Sequence, residues 1–143
     1  MARTLTVHLS DAQADRLDRY AKAHGAPPDE TARRLVDEAL RAADYPDIEF
    51  RNSAAGRRAC VRGSSLAVWE VVMLARDRGD DAEATAAHLG WPIQRVHAAL
   101  DYAREYSDEV LGALSDNESF EAESLRELLP NVRVNDIDMS DLA

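Results

Sequence analysis

Apolar and polar residues alternate strictly over Arg3-Thr4-Leu5-Thr6-Val7-His8-Leu9. Leu5, Val7 and Leu9 fall on one face, and Thr4, Thr6 and His8 on the other. A period of two in a stretch rich in β-branched residues predicts one half-buried strand. Ser10 follows, with Gln13 three residues on, the signature of a capping box. It predicts a helix over about 11–24 with Leu17, Tyr20 and Ala21 inward, stopped by Gly25. Ala26-Pro27-Pro28 makes a stiff connection, and Pro28 suits the first turn of a second helix. There Ala32, Leu35, Val36, Ala39, Leu40 and Ala43 recur at helical spacing, predicting one apolar stripe. A lone strand leaves its backbone groups unpaired, so it needs a partner, and the economical partner is the same strand of a second copy. Residues 1–45 thus read as a dimerisation unit held by Leu5, Val7, Leu9, Leu35 and Leu40.

Tyr45-Pro46-Asp47 breaks the pattern and opens a second region, 46–106. Residues 47–63 carry no helical stripe, and 57–63 reads as a short extended piece ending in a turn at Gly63. Leu66, Val68, Trp69, Val71, Val72 and Leu74 predict a buried helix, interrupted at Gly79-Asp80-Asp81. A short helix over 82–88 ends at Gly90. Pro92 opens a longer one to about residue 106, with Ile93, Val96, Ala99, Leu100 and Ala103 inward. Short helix, glycine turn and longer helix have the outline of a helix-turn-helix. Its exposed polar residues would be Gln94, Arg95, His97 and Arg104.

Residues 107–143 look different. Leu111, Leu114, Phe120, Leu125, Leu128, Leu129, Val132, Val134, Ile137, Met139 and Leu142 are spaced among many acids. They are too numerous for a solvating tail and too scattered for an independent core. Residues 119–129 read as an amphipathic helix, and 132–139 as a strand that adds to an exposed sheet edge. The expectation is an extended tail that orders on a partner.

Charge sharpens this division. The net charge of −10 argues against nucleic acid at first sight. Yet residues 1–50 net −3, residues 51–106 net +1 and residues 107–143 net −8, so the acid sits in the tail. With 45% apolar but only 6% aromatic residues, the core is small enough to gain from dimerisation. A single cysteine, Cys60, allows no internal disulfide, which fits a reducing cytoplasm. The first residues hold no apolar stretch of signal-peptide length, and no run approaches the roughly 20 apolar residues of a membrane span.

On its strand and two helices, from Leu5-Thr6-Val7-His8-Leu9-Ser10 through Gly25 to Ala39-Leu40, the chain resembles the ribbon-helix-helix DNA-binding dimers. The resemblance implies that Arg3, Thr4, Thr6 and His8 face the major groove, where all can hydrogen-bond bases or phosphates. It departs at the second helix, where Pro27, Asp29 and Glu30 stand instead of a hydroxyl cap that would favour a phosphate. Farther on, Cys60-Val61-Arg62-Gly63-Ser64-Ser65-Leu66-Ala67-Val68-Trp69, Gly79 and Val96-His97-Ala98-Ala99-Leu100-Asp101-Tyr102 resemble a small helical family, domain of unknown function number four hundred and thirty-three. That match covers about 47–110 and departs at Ser64-Ser65, where the family has Thr-Arg. Its members commonly accompany toxins with a PIN-like nuclease fold. The resemblance therefore implies an antitoxin whose tail binds a toxin through Phe120, Leu125, Arg126, Leu128, Leu129, Val132, Arg133, Val134 and Ile137. Arg126 and Arg133, the only tail arginines, are the candidates to neutralise a carboxylate cluster in such a nuclease.

Enzyme chemistry finds no support in the sequence. There is no phosphate loop, no G-x-G-x-x-G and no G-x-S-x-G. His8, His24, His88 and His97 have no metal-ligand spacing with one another or with Cys60. Trp69 and Trp91 read as core plugs. The expectation is a mainly α, cytoplasmic, homodimeric antitoxin without cofactor or metal. Its partners are operator DNA and a PIN-like nuclease. The alternatives are a DNA-binding transcriptional regulator, or an oligomeric scaffold, with no toxin partner.

Overall fold

The computed structural model describes residues 2–54 and 56–128, with side chains up to residue 118. It is mainly helical, with one small antiparallel sheet, and divides into two compact units, 1–44 and 45–143.

The first unit holds α1 (Asp11–Ala23) and α2 (Pro28–Asp44). A capping box starts α1. The backbone N–H of Gln13 donates to Ser10 Oγ at 3.2 Å, and that of Ser10 to Gln13 Oε1 at 3.0 Å. Gly25, at φ +65°, turns the chain after the helix. The Pro27 carbonyl begins α2, accepting the Thr31 N–H at 3.0 Å and its hydroxyl at 2.9 Å. Asp29 and Glu30 sit in the first turn, where carboxylates suit the helix dipole. The two helices pack together, and Ala21 is buried.

Two features of this unit stand open in the single chain. Residues 2–10 form no strand in the single chain. A strand is defined by a ladder, and none of the described residues pairs with them. The stripe on α2, expected at a dimer interface, is open in the single chain: Leu35 is half-buried, and Val36, Ala39, Leu40 and Ala43 are exposed. Packing against α1 buries other faces of α2 and leaves this one uncovered.

The second unit opens with a hairpin of β1 (Ile48–Ser53) and β2 (Gly56–Val61), in register from Ile48 opposite Val61 to Ser53 opposite Gly56. Four helices follow: α3 (Val68–Arg76), α4 (Ala82–Leu89), α5 (Ile93–Glu105) and α6 (Ser107–Leu128). Asp81 caps α4 by accepting the Ala84 N–H at 3.1 Å, and Gly90 ends it at φ +68°, both common devices at helix ends. Ile48 and Val61 from the hairpin, Val68 and Val71 from α3, and Val96, Ala99 and Tyr102 from α5 meet in one core. Val110 and Leu114 from α6 complete it. Trp69 and Trp91 pack at the edge of that core, only partly buried. Tyr102 is fully buried, with its hydroxyl donating to Glu109 Oε2 at 2.8 Å. Tyr45 stands edge-on to it at 5.4 Å between ring centroids, a favourable arrangement for two aromatic rings.

The second unit corrects the sequence reading twice. Where one extended piece is expected, the chain makes two paired strands. Residues 107–118 are not tail: α6 begins at once after α5, and Val110, Ala113 and Leu114 are buried. Their three- and four-residue spacing gives α6 an apolar stripe, and packing on α3 and α5 covers it.

Candidate nucleic-acid and partner interfaces

In the first unit, every residue from 2 to 10 is exposed. Arg3, Thr4, Thr6 and His8 are therefore accessible polar groups, as a nucleic-acid contact needs. The alternate residues are accessible too: Leu5 is 85% exposed, Val7 66% and Leu9 46%. Val36 and Leu40 on α2 are 59% and 62% exposed. Five of the seven large apolar side chains exposed among the described residues thus belong to this 44-residue unit. Each would gain roughly 1.5–3 kcal/mol on full burial, so leaving all five in water is costly.

In the second unit, three arginines stand at the turn 61–65 at the base of the hairpin: Arg62 within it, Arg51 bonded to two of its carbonyls, and Arg95 beside Gly63. Arg51 donates to the Ser64 carbonyl at 2.5 Å and more weakly to the Val61 carbonyl at 3.4 Å, and it also binds the Glu49 carboxylate. That bond to Arg51 holds the Glu49 carboxyl below its usual range against the opposing effect of desolvation, helped by the charges of Arg51 and Arg62. Arg62 donates from Nε to the Pro46 carbonyl at 3.0 Å. Arg95, in the first turn of α5, lies over the Trp91 ring, its guanidinium carbon 5.4 Å from the centroid. That is within the range of a cation–π contact. Gly63, at φ +77°, faces it: a Cβ there would stand 3.7 Å from an Arg95 terminal nitrogen. Sequence reasoning singled out Arg95 and Gln94 but missed Arg62, whose position depends on the hairpin. Gln94 and His97 are exposed on α5, and so is Arg104, which pairs with Asp101 at 3.2 Å.

A cavity of about 550 Å³ lies between the hairpin, α3 and α6. Arg51, Arg58, Cys60, Trp69 and Asp116 are among its lining residues. Arg58 is paired with Asp116 at 3.1 Å. Burial pushes the Cys60 thiol up, so it stays protonated near neutrality and is a poor nucleophile. Among the described residues no three His, Cys, Asp or Glu side chains are grouped to hold a metal, and no helix is long and apolar enough to cross a membrane.

Of the toxin-contact residues, Phe120, Leu125, Arg126 and Leu128 lie on α6, beyond the last described side chain. Leu129, Val132, Arg133, Val134 and Ile137 lie outside the described residues. Compared with protein-family models, with curated proteins and with solved structures, the chain gives no match.

Proposed function

We propose that this protein is a dimeric antitoxin that binds its own operator and neutralises a cognate toxin, a PIN-like ribonuclease, through its acidic C-terminal region. The observation that carries the dimeric, DNA-binding half is the exposure of Leu5, Val7 and Leu9 in strict alternation with Thr4, Thr6 and His8. Pairing residues 3–9 with the same residues of a second copy satisfies their backbone groups and presents three apolar side chains per copy to one side. Leu35, Val36 and Leu40 offer the surface that such a ribbon would cover. Arg3, Thr4, Thr6 and His8 then stand on the opposite face, available to the major groove. The toxin-binding half rests on the resemblance of residues 47–110 and on the concentration of acid after residue 107.

A second reading, a DNA-binding regulator with no toxin, is favoured by one observation. The first turns of the acidic segment serve the protein itself, since Val110, Ala113 and Leu114 are buried in the second unit. Capture from native cell extract separates the two. The baits are the full chain and a chain ending at Glu118, which retains those buried residues. The antitoxin reading expects a small nuclease captured only by the full chain, with its RNA cleavage blocked by added full chain. Equal capture by both baits, or cleavage that continues, would leave the regulator as the better account.

A further inference from the structure

We propose that the turn 61–65, through Arg62 and Arg95, is a phosphate seat that grips a DNA backbone. It would be a second contact, in addition to the amino-terminal residues. The inference rests on the DNA-binding half of the function proposed above.

The three arginines at this turn are engaged to different degrees. Arg51 is committed: it donates to the Ser64 and Val61 carbonyls and to the Glu49 carboxylate. It thereby occupies two carbonyls of the turn and the one carboxylate bonded there. Arg62, exposed, donates from Nε to the Pro46 carbonyl and feels the Glu49 charge, but no hydrogen bond from its terminal amino groups is formed among the described residues. Arg95 has no hydrogen bond and no ion pair among the described residues, only the Trp91 ring beneath it. Contact with the ring through its face leaves the N–H donors of the planar guanidinium unengaged, a fork that suits two oxygens of one phosphate. It also restrains the side chain before any ligand arrives, which lowers the entropy lost on binding. Gly63 adds no side chain to obstruct the approach.

A backbone phosphate fits better than a free anion because of the other residues on α5. The side chains of Gln94 and His97 are exposed on the same helix, one residue before and two after Arg95. Glutamine can bond an adenine edge in two places, and phosphate contacts are what set a helix at that distance. The first turn of α5 carries no acid to repel the backbone. Asp101 and Glu105 come later along the helix, and Asp101 is paired with Arg104.

The test is fluorescence anisotropy of the full chain with a labelled mixed-sequence duplex over a range of KCl concentrations. Wild type is compared with Arg62→Gln, Arg95→Gln, the double variant and an Arg3→Gln/Thr6→Ala variant. Each lost phosphate contact should lower the slope of log affinity against log salt by about 0.9, roughly an eight-fold weakening at about 0.1 M salt. The double variant should lose about twice that slope, with an unchanged melting temperature. Arg62 is exposed, so Arg62→Gln alone reports on DNA even if Arg95→Gln disturbs packing. Wild-type affinity and slope in the variants overturn the inference, and so does weaker binding with an unchanged slope, which would make Arg95 a structural buttress. If only Arg3→Gln/Thr6→Ala weakens binding, this inference falls while the function above stands. If wild type binds no duplex, this inference and the DNA-binding half of the function above both fall.

Discussion

Tyr102 shows how much one side chain can decide. It is enclosed by Tyr45, Phe50 and Tyr106, and its hydroxyl reaches Glu109 on α6. Tyr102→Phe keeps the ring and removes that bond, and it should cost about 1 kcal/mol. Tyr102→Ala empties the centre of the unit and should cost about 3–5 kcal/mol. Urea unfolding followed by circular dichroism checks both, and equal losses would mean the ring contributes nothing beyond its hydroxyl. Glu49 gives a pH-dependent case. Its carboxyl is held below the ordinary value of 4.5 when folded. Its contribution is therefore present above that pH and fades as pH falls through the lower folded value. Glu49→Gln should then be less stable than wild type at neutral pH and indistinguishable from it once the carboxyl is protonated. Cys60 should ignore a thiol reagent such as DTNB in mildly alkaline buffer until urea unfolds the chain. Reaction with the native protein at the rate of a free thiol would contradict its burial.

At the scale of elements, local chemistry explains where helices begin and end. Asp81 is exposed and touches nothing essential beyond the Ala84 N–H. Asp81→Ala should still lower stability by about 1 kcal/mol, read as a shifted urea midpoint, because α4 loses its cap. Such caps are contacts across one helical turn, so Ser10 with Gln13, Asp81, Gly90 and Pro92 can be read straight from the chain. The hairpin cannot. Ile48-Glu49-Phe50-Arg51 does alternate, but over only four residues, and what fixes 48–53 as a strand is β2 beside it and Tyr102 against Phe50. The seat at 61–65 is hidden for the same reason: Arg51 reaches the turn through strand pairing and Arg95 through the packing of α5, both far from Arg62 in sequence or register.

The whole molecule raises the question of what covers the first unit. Val7→Asp places a charge at the middle of the proposed ribbon without touching a residue buried in the single chain. Light scattering should then report a monomer where wild type is a dimer, with unchanged helix content by circular dichroism. A dimeric Val7→Asp would place the interface elsewhere. The residue pattern by itself determined the starts and stops of α1, α2, α4 and α5, the single Cys60, the alternation over residues 3–9 and the concentration of acid after 107. All of these depend on neighbours in sequence. Tertiary structure decided which apolar stripes become core. The stripe of Leu111 and Leu114, read as tail, divides, with Leu114 covered and Leu111 left exposed. The stripe on α2, read as a dimer contact, stays open at Val36 and Leu40 in the single chain. The physical reason is that amphipathicity states only that a face needs burial, while the partner that buries it is fixed by packing in three dimensions.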